Sequence, residues 1–181
     1  MKMVDRTVAG PLPAAREGAS RYRIAVVCLG NICRSPIGEV VLTAKLAESG
    51  LGDRVEVASA GTGTWHVGEP IDRRAAAVLA AHGYDPSKHR AKEFGPEWFV
   101  DYDLVLAMDE RNHQDISRMS PGSTGSRLRM FRDFDPRATD GDRDVPDPWY
   151  GEDDGFDTVL AMVERTAAVI VERLRAELAR T

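Results

Sequence analysis

One stretch constrains the fold of this chain more than any other. The apolar run Ile24–Val27 is followed directly by Cys28-Leu-Gly-Asn-Ile-Cys-Arg-Ser-Pro36. The apolar run predicts a buried strand, and the residues after it predict a tight loop. Ser35 and Pro36 are favoured at the start of helices, as an N-cap and a first helical residue. A loop between a strand and a helix N-terminus predicts an anion-binding turn in an α/β fold.

The rest of the chain repeats this alternation of apolar strands and amphipathic helices. Strands are predicted at 23–27, 55–59, 104–108 and 128–131, and helices at 36–49, 71–82, 109–119 and 156–178. Strands separated by helices favour a parallel sheet that is covered on both faces. Ligands of such sheets bind beyond the carboxyl ends of the strands, which is where Cys28 falls.

Length and composition limit the classes of protein that remain. The 181 residues predict one domain over 21–181 after a flexible leader over 1–20, which contains prolines and glycines but no periodicity. A net charge of −5 gives no sign of the excess positive charge that nucleic-acid-binding proteins carry. The absence of an apolar run of about 18 residues argues against membrane insertion. No signal peptide is recognisable, so we expect a cytoplasmic protein, with export by another route left open.

The loop residues suit a thiol nucleophile that attacks a phosphate. Gly30 and Asn31 tolerate left-handed backbone, which lets successive amides converge on an anion. Arg34 offers a permanent cation that can bind two phosphate oxygens at once. The same positive field favours a thiolate at Cys28. The simpler alternative is that Cys28 and Cys33, the only cysteines, are small buried residues of a turn.

Thiolate attack on a phosphate ester also requires a proton donor for the leaving group. The best candidate is Asp147, in a long segment rich in proline and glycine over 134–155. Pro148 favours extended backbone at Asp147, and Trp149 and Tyr150 could form a wall for an aromatic substrate group. Taken alone, an Asp-Pro pair more often marks a turn.

These motifs resemble those of the low-molecular-weight protein-tyrosine phosphatases. The block 28–36 is similar to the family's phosphate loop, and 147–151 is similar to its general-acid loop. Further landmarks lie at 59–62, 65–68, 81–84, 89–91 and 108–110, so that the resemblance runs from Tyr22 to the end. It implies a four-stranded parallel sheet flanked by helices on both faces, a Rossmann-like arrangement. It also implies a two-step reaction without metal or cofactor.

The resemblance assigns a role to each matching residue. Cys28 would form a phosphocysteine, Arg34 would hold the phosphate oxygens and Asp147 would act as general acid and then as base. Cys33 resembles a second loop cysteine that forms a reversible disulfide with the nucleophile. Substrate binding is assigned to Leu29, Gly30, Asn31, Ile32, Cys33, Ser35, Trp65, Trp149 and Tyr150, with Ser35 also helping the sulfur to leave. Support of the loop is assigned to Ser59, His89 and Asp109, together with Asn31.

The predicted substrates are proteins that carry phosphotyrosine, and the predicted product is inorganic phosphate. Three alternatives stay open. A thiol-coupled arsenate reductase of the same fold would need redox cysteines outside the loop, and this chain has none. Protein-arginine phosphatases have threonine where Ile32 stands, and an apolar side chain cannot hydrogen-bond a guanidinium. A non-catalytic phosphate-binding module would need neither a thiol nor a distant acid. Trp149, which replaces a common tyrosine, is expected to alter the cleft edge.

Overall fold

Four parallel strands in the order β2-β1-β3-β4 form the centre of the structure, a computed structural model that describes residues 10–180. The strands are β1 (Tyr22–Cys28), β2 (Val55–Gly61), β3 (Leu104–Ala107) and β4 (Leu128–Met130). The helices are α1 (Arg34–Glu48), α2 (Arg73–Ala81), α3 (Trp98–Asp101), α4 (Glu110–Met119) and α5 (Asp154–Leu178). This arrangement confirms the predicted fold class, including the four parallel strands.

The side chains of β1 alternate between two apolar cores, one on each face of the sheet. Ile24 and Val26 pack with residues of α1, α2 and α5. Ala25 and Val27 pack on the opposite face with residues of α3 and α4. Strands that are buried on both faces read as continuous apolar runs, which explains why these strands were recognisable from the sequence.

The predicted strands and helices differ from the observed ones at their ends, and the sequence did not predict α3 or the short 3-10 helices at Gly125–Arg127, Phe131–Phe134 and Pro148–Tyr150. Helix α1 begins at Arg34, and Cys33 occupies the N-cap position without a capping side-chain bond. The prediction that Ser35 caps this helix was therefore wrong. Ser35 lies in the first helical turn, where its hydroxyl contacts the thiol of Cys28 instead of a free helical amide. Helix α3 is a single turn and was too short for its periodicity to be read.

The second half of the predicted leader packs against the domain. Leu12 is buried in the core on the α1 side of the sheet, and the hydroxyl of Tyr22 donates to the carbonyl of Pro13 at 2.9 Å. Asp103, which is fully buried, accepts hydrogen bonds from the backbone N–H of Arg16 at 2.7 Å and from its Nε at 3.0 Å. Residues 10–20 thus differ from the flexible leader that the sequence predicts, whereas 1–9 lie outside the described residues.

The connections between strands place a crevice beside the end of β1. From β1 the chain moves to β2 on one side and then crosses to β3 on the other. Loops that leave neighbouring strands in opposite directions open a crevice at their carboxyl ends, and ligands bind there. Cys28 ends β1 and Asp109 follows β3 at this edge. Within residues 10–180, no helix is long and apolar enough to cross a membrane.

Candidate active site

The thiol of Cys28 lies at the base of a loop that aims hydrogen-bond donors at it. The backbone N–H of Asn31 donates to the sulfur at 3.3 Å, and the hydroxyl of Ser35 lies 3.0 Å from it. The side chain of Cys28 is buried directly in front of the first turn of α1, whose free amides carry positive charge. These donors surround the sulfur and can stabilise it as a leaving group.

Asn31 holds the shape of the loop. Its φ angle is 56°, the left-handed conformation that the sequence predicts for this position. Its side-chain amide donates to Ser35 Oγ at 2.8 Å and to Ser59 Oγ at 2.9 Å, and its Oδ1 accepts from the backbone N–H of Lys92 at 2.9 Å. His89 Nε2 lies 2.6 Å from its backbone carbonyl oxygen. Asn31 therefore faces inward to support the loop and does not line the cleft.

Gly30 has a different role from the one predicted, because its backbone is outside the left-handed region. A Cβ at Gly30 would lie 3.0 Å from Cδ2 of His66, closer than most such contacts. The absence of a side chain at this position lets His66 approach the loop.

Glu39 belongs to the network beneath the loop and was missed in the sequence. Ser59 Oγ donates to its carboxylate at 2.5 Å, and His89 Nδ1 lies 3.6 Å from the same oxygen. Burial raises the pKa of Glu39, but the hydrogen bonds of His89 and Ser59 outweigh burial and hold this pKa below its ordinary value. Glu39 stands four positions after Ser35, on the same helix face, and that spacing could have predicted that its side chain reaches the loop.

Arg34 is buried and joins three parts of the site. Nη1 donates to Asp109 Oδ2 at 2.5 Å and to the carbonyl oxygen of Val145 at 3.0 Å, and Nη2 donates to Asp147 Oδ2 at 3.3 Å. Burial opposes the charge, but negative charge at Cys28 and the carboxylates of Asp109 and Asp147 raise the pKa of Arg34 above its ordinary value. The guanidinium is therefore a fixed cation beside the thiol.

Asp109, which follows β3 and caps α4, holds the guanidinium of Arg34 in place. Its Oδ1 accepts from the backbone N–H of Asn112 and so caps α4, while its other oxygen binds Arg34. One carboxylate thus satisfies a free helical amide and orients the guanidinium.

Cys33 is a second buried thiol on the cleft side of the loop, and both cysteines are free. Burial, with a smaller contribution from the nearby charge of Asp72, raises the pKa of Cys33 far above its ordinary value. Cys33 is therefore held as a neutral thiol. Its pairing with Cys28 in a disulfide stays a prediction.

The loop and the segment around Asp147 enclose a cleft of about 230 Å³. Its walls include the aromatic residues that the sequence predicted to contact substrate and one residue, His66, that it did not single out. The lining residues are Cys28, Leu29, Gly30, Ile32, Cys33, Arg34, Trp65, His66, Asp147, Trp149 and Tyr150. The structure thus brings all the predicted site residues to one place. Five predicted site residues have side chains that do not line the cleft but support the loop from within or behind: Asn31, Ser35, Ser59, His89 and Asp109.

Asp147 is the carboxylate of this cleft that stands opposite the phosphate loop. It begins a short 3-10 helix over Pro148–Tyr150, and its Oδ1 accepts from the backbone N–H of Trp149 at 3.0 Å. Its other oxygen faces Arg34. In residues 10–180, no group of three or more His, Cys, Asp or Glu side chains could hold a metal ion.

Taken together, a doubly wound parallel sheet and a thiol beside a buried arginine define an α/β protein with a site for phosphate chemistry. A family model described as low molecular weight phosphotyrosine protein phosphatase matches residues 23–180. The chain therefore belongs to the low-molecular-weight protein-tyrosine phosphatase family, whose members are phosphoric monoester hydrolases.

Individual relatives agree with this family assignment. The chain is 45% identical over 155 residues to a low molecular weight protein-tyrosine-phosphatase of Streptomyces coelicolor, covering 85% of this chain and 94% of that one. It is 49% identical over 141 residues to low molecular weight protein-tyrosine phosphatase A of Mycobacterium tuberculosis, covering 78% and 84%. The crystal structure of YfkJ from Bacillus subtilis superposes with a TM-score of 0.81 at 28% identity, covering 88% and 98%.

Proposed function

We propose that the protein hydrolyses phosphotyrosine in proteins through a phosphocysteine on Cys28, with Asp147 as general acid and base. The observation that carries this proposal is the position of Arg34, which is buried beside Cys28 and bonded to Asp147 across one cleft. A nucleophile, a cation for the phosphate oxygens and a proton donor are thereby within reach of a single phosphate group.

In the first step the thiolate of Cys28 attacks phosphorus while the bond from phosphorus to the phenolic oxygen breaks. Asp147, in its protonated form, gives its proton to that oxygen, and tyrosine leaves. Arg34 and the loop amides hold the phosphate oxygens, and the phosphate takes the place of Asp147 at Nη2 of Arg34. A covalent S–P bond links the phosphate to the enzyme.

In the second step a water molecule attacks the phosphorus of the phosphocysteine. The carboxylate of Asp147 takes a proton from this water, and the S–P bond breaks with its electrons returning to sulfur. The hydroxyl of Ser35, 3.0 Å from the sulfur, stabilises the departing thiolate. Inorganic phosphate is the product. A cytoplasmic location and the absence of a cofactor remain predictions from the sequence.

The cleft favours an aryl phosphate over the alternatives of the same fold. Ile32 offers no hydrogen bond to a guanidinium, and Trp65, Trp149 and Tyr150 provide aromatic walls. The chain also lacks cysteines outside the loop to pass electrons for arsenate reduction. Peptides that carry phosphotyrosine should therefore be hydrolysed much faster than matched peptides that carry phosphoarginine.

Hydrolysis of p-nitrophenyl phosphate by the wild type and by Cys28→Ser tests the nucleophile. We expect activity in the wild type and none above background in the variant. Acid quenching during turnover should trap phosphate on Cys28, detectable by mass spectrometry. Equal rates in the two proteins, or the absence of a rate in both, would overturn the proposal of covalent catalysis.

A further inference from the structure

Arg74, at the start of α2, contacts both ends of the segment that follows Asp147. Its guanidinium carbon lies 5.3 Å from the ring centroid of Trp149 and 4.7 Å from that of Phe156. Trp149 stands two positions after Asp147, and Phe156 lies in the first turn of α5. Because a cation is attracted to the face of an aromatic ring, Arg74 holds these two rings together.

Asp72 connects this cation to the phosphate loop. Its carboxylate accepts from Nε of Arg74 at 3.3 Å and from Nη2 at 3.4 Å, which fixes the plane of the guanidinium. The same carboxylate caps α2. The backbone N–H of Asp72 donates to the carbonyl oxygen of Ile32 at 2.8 Å. The phosphate loop is thus linked through Asp72 to Arg74, and through Arg74 to Trp149.

Trp149 is in turn bonded to Asp147. The backbone N–H of Trp149 donates to the carboxylate of Asp147 at 3.0 Å. Trp149 is 43% exposed, so burial alone fixes its indole weakly. The indole contacts Arg74, and its centroid lies 5.9 Å from that of the His66 ring. Contacts with these two side chains therefore orient the ring.

We propose that Arg74 is a positioning residue that sets the distance of Asp147 from the phosphate loop. The proposal rests on the proposed function, in which Asp147 protonates the leaving group. Arg74 does not line the cleft and contacts no reacting atom. Its loss would let the segment that carries Asp147 move, and a misplaced acid slows reactions in proportion to their need for a proton.

The test compares turnover of two substrates whose leaving groups differ in basicity. For Arg74→Gln we expect kcat/KM for phenyl phosphate, which reports the step in which the leaving group departs, to fall by about tenfold, corresponding to a loss of about one cation–π contact. We expect kcat/KM for 2,4-dinitrophenyl phosphate, which needs little protonation, to change by less than about twofold. Arg74→Lys keeps the cation and should recover part of the loss.

Arg73→Gln is the matched control, since Arg73 is the exposed neighbour on the same helix turn and its loss changes the charge equally. It should leave both rates unchanged. In the Asp147→Asn background, Arg74→Gln should cause no additional selective loss, because the acid is already absent.

Two outcomes would overturn the positioning role while leaving the proposed acid intact. One is an equal decrease for both substrates in Arg74→Gln. The other is the same selective loss in Arg73→Gln. A failure of the proposed acid itself is distinguished by Asp147→Asn, which would then slow both substrates equally.

Discussion

Nη2 of Arg34 donates to Oδ2 of Asp147 at 3.3 Å, although 113 positions separate the two residues in the chain. Arg34 starts α1 and Asp147 precedes the short helix Pro148–Tyr150. This bond therefore joins the phosphate loop to the segment that forms the opposite wall of the cleft. The two motifs that the sequence shows separately thus form one site with a thiol at its base.

Asp147→Asn should slow aryl phosphates with basic leaving groups far more than those with acidic ones. We expect kcat/KM for phenyl phosphate to fall by about 100-fold or more, because the amide cannot donate an acidic proton. The measurement is kcat/KM across a series of substituted phenyl phosphates, because kcat also includes hydrolysis of the phosphocysteine, which all substrates share. Asp144→Asn, an exposed carboxylate of the same segment, should leave the series unchanged. A uniform decrease in Asp147→Asn would contradict its role as the acid.

Asn31→Gly and Asn31→Ala separate the two contributions of Asn31 to the loop. Both remove the side-chain hydrogen bonds, which should lower the free energy of unfolding by about 2–3 kcal/mol at about 1 kcal/mol for each bond. Alanine should cost about 1 kcal/mol more, since only glycine adopts a positive φ freely. Urea unfolding of the three proteins measures both differences. An alanine variant as stable as the glycine variant would argue that the loop relaxes to another conformation.

Glu39→Gln should destabilise the protein at neutral pH and much less in acid. The folded-state pKa of Glu39 is lowered, so its charge stabilises the fold above the unfolded value of about 4.3. That stability is lost as the pH falls through the lower, folded-state value. We expect a difference of about 1–2 kcal/mol in the free energy of unfolding at pH 7, measured with urea. A difference that stays constant down to pH 3 would exclude the charge of Glu39 as the cause.

Arg16→Ala should reduce stability without affecting catalysis. It removes one of the hydrogen bonds to the fully buried carboxylate of Asp103, at the opposite edge of the sheet from the cleft. A loss of about 1–3 kcal/mol is expected for a buried charge that loses a partner. Arg111→Ala, which removes an exposed pair with Asp115, should cost less than about 1 kcal/mol. Equal effects would indicate that residues 10–20 are bound more weakly than these contacts imply.

The elements of the fold were readable from the sequence because its strands are apolar on both faces and its long helices are periodic. The phosphate loop was readable because Asn31 tolerates the left-handed backbone that it adopts, and because a cysteine and an arginine stand at the two ends of a short turn. Glu39 was missed although its spacing from Ser35 places both residues on one helix face, because a charged residue on a helix usually faces solvent. The packing of Leu12 and Arg16 was also missed, because their partners lie far along the chain and the segment has no periodicity of its own.

Arg34 is already bonded to three acceptors of the protein itself, at Asp109, Val145 and Asp147. An anion that enters the cleft therefore exchanges places with an internal carboxylate and does not meet a bare cation. The measured binding free energy of that anion is therefore the difference between its own interaction with Arg34 and that of the carboxylate it displaces. Doubly charged ligands should displace the internal carboxylate readily, whereas singly charged ones should compete poorly. This exchange gives the cleft a built-in preference for dianions such as phosphate monoesters.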